Sequence, residues 1–166
     1  MENQRTKSIR LKDYDYSQSG AYFVTTVTHQ RIYYFSKIVS REMNLNPAGD
    51  MINKWWMEIP NKFPEIKLDA YVIMPNHFHG IIVNVGVGLR VDPNSQGGHT
   101  GPPLPTIIQW FKTMTTNSYI NGVKDTSWPR FDGSIWQHNY YDRIIRNEPE
   151  LDAVRNYIFW PIRRID

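Results

Sequence analysis

The chain has no cysteine, which excludes a disulfide framework and any thiolate metal centre. It has no apolar run near the roughly 20 residues a membrane-spanning helix needs, and Met1 to Arg10 is polar, without the apolar core of a secretion signal. A cytoplasmic location is therefore expected. There is no internal repeat and no block of like charge, so neither a solenoid nor a charged tail is indicated. What is present suits one folded domain over 1–166: 166 residues, 40% hydrophobic and 21% charged. A net charge of +3 permits nucleic-acid binding without demanding it. The 6 Trp, 10 Tyr and 7 Phe offer faces for unpaired bases, though such residues more often fill cores.

Hydrophobic patterning gives an order of elements. Ala21 to Gln30, rich in β-branched and aromatic residues after a Ser-Gln-Ser-Gly turn signal, predicts a strand. Pro47 to Phe63 predicts a helix with Met51, Trp55, Ile59 and Phe63 on its apolar face, interrupted at Pro60. Lys67 to Met74 and Phe78 to Val85, joined through Pro75-Asn76, predict an antiparallel hairpin. Residues 86–105, dense in Gly and Pro, read as a long mobile loop. Thr106 to Tyr119 predicts a second helix, Trp136 to Ile145 a further strand, and Asn147-Glu148-Pro149-Glu150 the start of a last helix through Leu151, Val154 and Ile158. The fold class is α+β, an antiparallel sheet with helices packed mainly on one face.

One segment carries chemistry. In Met74-Pro75-Asn76-His77-Phe78-His79-Gly80, residues two apart on a strand share a face. His77 and His79 should project side by side while Phe78 turns to the buried face. Two imidazoles on a rigid strand make half of a divalent-metal site, with a third ligand to come from elsewhere. The plainer reading is two histidines hydrogen-bonded to their neighbours.

The same segment resembles the HUH motif (His, hydrophobic, His) of single-tyrosine transposases, and most closely the REP-associated tyrosine transposases. Arg10 to Gln18 leading into Ala21 to Thr25 resembles that branch's opening, Ile107 to Lys112 its middle helix, and Trp136 to Arg146 its late strand. The resemblance implies the ferredoxin-like sandwich of HUH nucleases and a single-strand DNA endonuclease and strand transferase. Such an enzyme would use magnesium or manganese, act on single-stranded DNA with hairpin ends, and hold the cut 5′ end on a tyrosine.

The family's nucleophile lies in a Tyr-Ile pair on the last helix, matched here by Tyr157-Ile158. A free tyrosine, with a pKa of about 10, needs a proton acceptor or local positive charge to attack. Tyr140 and Tyr141 compete for the role and read as core or DNA-contacting residues. The family's third metal ligand, an amide one turn after the tyrosine, falls on Pro161, which has no side-chain ligand. Asn156, Gln137 and Asp142 are the replacements considered.

Lys112, Arg143, Arg146 and Arg155, with Arg10 and Lys12 in an N-terminal basic arm that also holds Arg5 and Lys7, are the expected DNA contacts. A monomer or a homodimer is compatible, and in dimeric family members the tyrosine can serve the partner's histidines. Two alternatives stand beside the nuclease: a hairpin-binding remnant that has lost cleavage, and a metal hydrolase unrelated to DNA.

Overall fold

A computed structural model describes residues 20–85 and 101–160. Its elements in chain order are β1 (Gly20–Val27), β2 (Ser36–Val39), β3 (Glu42–Leu45), α1 (Pro47–Met57), α2 (Ile59–Lys62), β4 (Ile66–Ile73), β5 (His77–Asn84), α3 (Leu104–Thr126), β6 (Tyr141–Ile145) and α4 (Glu148–Phe159). The main sheet is antiparallel throughout, in the order β4-β5-β1-β6. Leaving out the β2–β3 hairpin, this is the βαββαβ arrangement of a ferredoxin-like sandwich.

Alternation along the strands divides the molecule. Tyr22, Val24, Phe78 and Ile82 face α1 and α3 and join the larger core around Trp56, Phe111 and Trp136. Ala21, Phe23, Ile81 and Val83 face the other way, where Val154 and Ile158 of α4 close a second, smaller core. Among the described residues, two of the three long helices thus share one face, and α4 covers the other. Trp56 comes so close to β5 that a Cβ on Gly80 would lie 2.5 Å from its ring.

Several boundaries differ from the sequence reading, each for a local reason. β1 stops at Val27 because Gln30 and Arg31 take left-handed backbone angles (φ 53° and 57°) in one turn of 3-10 helix at His29–Arg31. The first helix breaks at Glu58, and its most buried stripe is Ala48, Ile52, Trp56 and Ile59. Met51 and Trp55 are only partly buried, because they form a second stripe: Trp55 stacks edge-on with Trp110 of α3 and donates Nε1–H to Ser118 Oγ at 2.7 Å. A helix wedged between sheet and helix carries two apolar stripes, which blurs a one-face pattern.

The loop expected over 86–105 ends earlier, since α3 starts at Leu104 with Pro105 in its first turn. Residues 86–100 lie outside the described region. α3 continues to Thr126 instead of ending at Tyr119. Gly122 does not break it, and its bare backbone receives the Trp128 ring where a Cβ would stand 2.2 Å away. The late strand is confined to Tyr141–Ile145. Trp136 keeps one bridge to Thr28, after which residues 137–139 leave the sheet and present their carbonyls to Lys112. The β2–β3 hairpin was not foreseen. Its turn uses Ser40 and Arg41 at φ 52° and 63°, a conformation the sequence usually announces with Asn-Gly or Asp-Gly. Among the described residues no helix is long and apolar enough to cross a membrane.

Candidate functional site

β5 lies beside β1 in a register that sets His77 opposite Val27 and His79 opposite Thr25. Both imidazoles emerge on the α4 face with ring centroids 4.7 Å apart, and Phe78 between them is fully buried on the far side. The alternation expected from His-Phe-His is the one found.

Each histidine is held through Nδ1. His77 Nδ1 lies 2.7 Å from Asn76 Oδ1, and His79 Nδ1 lies 2.7 Å from Thr25 Oγ1. The amide oxygen facing His77 can only accept, so Nδ1–H donates and Nε2 keeps the lone pair a metal-ligating imidazole needs; the Thr25 hydroxyl, which both donates and accepts, is compatible with the same tautomer at His79. Electrostatics favour the same neutral form. Burial, then the charge of Arg31, pushes His77 below the ordinary histidine range, and burial, then the neighbouring His77, brings His79 down to about 4. Phe23 stacks on His79 at 5.3 Å and fixes its plane.

Tyr157 comes to this pair from α4. Asn147 caps the helix by accepting from Glu150 N–H, Pro149 follows in the first turn, and Val154 and Ile158 anchor it in the smaller core. Tyr157 sits beside that stripe, 37% exposed. Its ring meets His79 edge-on at 5.4 Å and Phe23 at 5.9 Å. Arg155 on the same helix makes a two-pronged ion pair with Asp69, at 2.9 and 2.6 Å. Asp69 sits at a register shift in β4 that turns its carboxylate toward α4. The bond from Arg155 is the main reason its carboxyl lies below the usual carboxylate range.

The other named residues scatter. Tyr140 is buried in the larger core. Tyr141 stands opposite Thr25 on the histidine face, 46% exposed. Asn156 is two residues from both Val154 and Ile158, so it points away from the sheet, and it is exposed. Asp142 pairs with Val24 and belongs by alternation to the opposite face. Gln137 is bound through its backbone N–H to Val27 at 2.8 Å. Among the described residues no cluster of three or more His, Asp or Glu suited to a metal forms. Arg143 is paired with Glu150. The Lys112 ammonium lies within 2.9–3.5 Å of the carbonyls of Gln137, His138 and Asn139. Arg146 is exposed at the start of α4. Arg5, Lys7, Arg10, Lys12 and Pro161 lie outside the described residues.

Sequence reasoning missed Thr25, Asn76 and Phe23 as the residues that orient the histidines. Asn76 adjoins the motif, but choosing Thr25 and Phe23 requires the β1–β5 register.

The donor set fits half of a divalent-cation site: two neutral imidazoles on one rigid strand with matched second hydrogen bonds. No protein-family model matches the chain. A protein of Haemophilus influenzae described as uncharacterised is 37% identical over 164 residues, covering 92% of this chain and 85% of that one. Among solved structures, a REP-associated tyrosine transposase bound to a REP hairpin superposes with a TM-score of 0.62 at 17% identity, over 94% of this chain and 74% of that one.

Proposed function

From the premise that the chain belongs to one family with the Haemophilus influenzae protein and is REP-associated tyrosine transposase-like in fold, we propose that it nicks and joins single-stranded DNA beside hairpins, with Tyr157 as nucleophile. The observation that carries this reading is the contact between the Tyr157 and His79 rings, 5.4 Å between centroids, on the face that also holds His77.

Tyr157 Oη attacks the scissile phosphorus in line with the leaving oxygen. The new P–O bond to tyrosine forms as the bond to the 3′ oxygen breaks. One proton leaves the phenol and one arrives at the released 3′ hydroxyl. The 5′ phosphate stays on the protein until another 3′ hydroxyl attacks it, so bond energy is conserved and no nucleotide cofactor is required. His77 and His79 would hold magnesium or manganese through Nε2, supplying positive charge against the phosphate oxygens in the transition state. Pro161 offers no side-chain ligand, and Asn156 and Asp142 point away from the histidine pair, so water and DNA oxygens would supply the remaining ligands. Tyr157 and the histidine pair are contributed by one chain, which makes a monomer sufficient for the first cut. Arg143, Arg146 and Arg155 lie on β6, between β6 and α4, and on α4 respectively, and are the described cations retained as DNA contacts.

The test is incubation with labelled single-stranded hairpin DNA and manganese or magnesium, followed by a denaturing protein gel. A labelled, protease-sensitive band that disappears in Tyr157→Phe and in His77→Ala is expected. A band surviving Tyr157→Phe moves the nucleophile to Tyr141. Retained hairpin binding without any band rejects the nuclease in favour of a cleavage-deficient binding protein.

A further inference from the structure

α4 presents two stripes to the sheet. Val154 and Ile158 fill the smaller core. The second stripe, Glu150, Ala153, Val154 and Tyr157, follows the i, i+3, i+4, i+7 spacing of one helix face and overhangs β6. Between it and the ladder of Phe23–Arg143 and Thr25–Tyr141 lies an open cavity of about 400 Å³. That volume lies in the range of small-ligand sites.

The cavity differs from a packing gap in three ways. Its walls are largely apolar and include exposed Tyr141, 46% accessible on a strand that offers it no cover. Its rim is polar, formed by the Arg143–Glu150 ion pair. It also opens directly onto Tyr157, and Thr25 in its floor is the residue that holds His79. The smallest side chain of the stripe, Ala153, stands where a longer one would fill the space.

We propose that this cavity receives one unpaired nucleobase of the substrate strand, adjoining the scissile phosphate, with Tyr141 as its stacking platform and the Arg143–Glu150 pair at its edge. The inference rests on the nuclease reading above. A phosphate held at Tyr157 and the histidines places the neighbouring nucleoside within one nucleotide's reach of the cavity. An apolar slot with an aromatic wall suits a flat heteroaromatic ring, and stacking on tyrosine tolerates any base. A charged rim offers hydrogen bonds to a base edge and a source of preference among bases. Tyr141 is thereby a positioning residue that aims the phosphate at Tyr157, and the exposed aromatic of β6 acquires a use other than nucleophilic attack.

The experiment is photocrosslinking of the full chain to single-stranded hairpin DNA carrying 5-iodouracil at successive positions of the unpaired flank, with peptide mapping by mass spectrometry. One substituted position is expected to crosslink to Tyr141. Ala153→Leu, which preserves helix propensity, should reduce that crosslink about tenfold, in keeping with the loss of one stacked base, while the circular dichroism spectrum is retained. Tyr141→Phe should keep a ring crosslink at the same position and Tyr141→Ala should lose it. Bound DNA that crosslinks only elsewhere, or a Tyr141 crosslink indifferent to Ala153→Leu, overturns the base pocket and leaves the nuclease reading intact. Absence of any DNA binding overturns both together.

Discussion

The Thr25 hydroxyl lies 2.7 Å from Nδ1 of His79, directly across the β1–β5 ladder. The side chain that turns the imidazole is therefore fixed by strand register and not by a loop. Thr25→Val keeps the branched shape and removes the oxygen. Metal affinity is expected to fall about 10- to 100-fold, the usual cost of losing a partner that orients a ligand, with Thr25→Ser restoring most of it. Manganese titration calorimetry checks this, and an unchanged affinity in Thr25→Val would remove the hydrogen bond from the argument.

Gly80 is there for space. It follows His79, and a Cβ would meet the Trp56 ring at 2.5 Å and the Phe78 ring at 2.8 Å. Both rings are fully buried, so neither can swing into solvent. Gly80→Ala should destabilise the fold by about 1–3 kcal/mol, the range for overpacking a filled core. Urea denaturation measures it, and a neutral result would mean that α1 can retreat from the sheet.

The legibility of these features in the sequence follows their physical range. The side-by-side histidines and the buried Phe78 follow from a two-residue period that any strand imposes. The start of α4 follows from Asn147 and Pro149, which act within one turn. The Ser40-Arg41 turn was hidden because neither residue advertises a left-handed backbone. The single apolar face read through Met51 and Trp55 left out Trp56, a fully buried residue of α1, because a helix wedged between sheet and helix has apolar residues on both sides. Thr25 and Ala153 around the candidate site were out of reach, and so was the side of the sheet on which Tyr141 stands: their meeting depends on strand order and on α4 crossing to the other face, which no local pattern encodes.

The cap of α4 gives a direct test of how firmly Tyr157 is carried. Asn147 Oδ1 accepts from Glu150 N–H at 2.9 Å, and Glu150 in turn accepts from Arg146 N–H at 2.9 Å. Asn147→Ala should cost about 1 kcal/mol and raise hydrogen exchange in the first turn of α4 before the sheet is affected. Simultaneous loss of protection in α4 and β1 would show that the helix and sheet open as one unit.

Acid should loosen the same helix. Arg155, by hydrogen-bonding Asp69, holds that carboxyl below the usual range. A depressed folded value means the folded state resists protonation. The stabilisation is present above the unfolded value of about 3.9 and is lost as pH falls through the folded one. The groups are partly exposed, so solvent screening keeps the effect small. Thermal melts of the native chain should converge with those of Asp69→Asn as pH drops below about 4. A constant gap between the two down to pH 2 would mean the ion pair contributes nothing to docking α4.

Lys112 separates two roles for one ammonium. The resemblance places it on DNA, while the fold gives it the carbonyls of Gln137, His138 and Asn139 and lays it 5.9 Å from the Tyr140 ring centroid. Those carbonyls belong to the segment where the chain leaves the sheet between Trp136 and β6, and without a donor they must turn to water. Lys112→Met keeps the aliphatic stem and removes the charge. It is expected to cost about 1–2 kcal/mol of stability, limited because part of the segment is already hydrated. It should leave the salt dependence of hairpin binding unchanged, since a lysine committed to carbonyls releases no counterion from phosphate. A lysine on the DNA backbone would instead lower the slope of log affinity against log salt by about 0.7–0.9. Hairpin titrations of both proteins across a salt series decide between the two: an unchanged slope assigns Lys112 to the 137–139 segment, and a slope lowered by that amount returns it to the DNA interface.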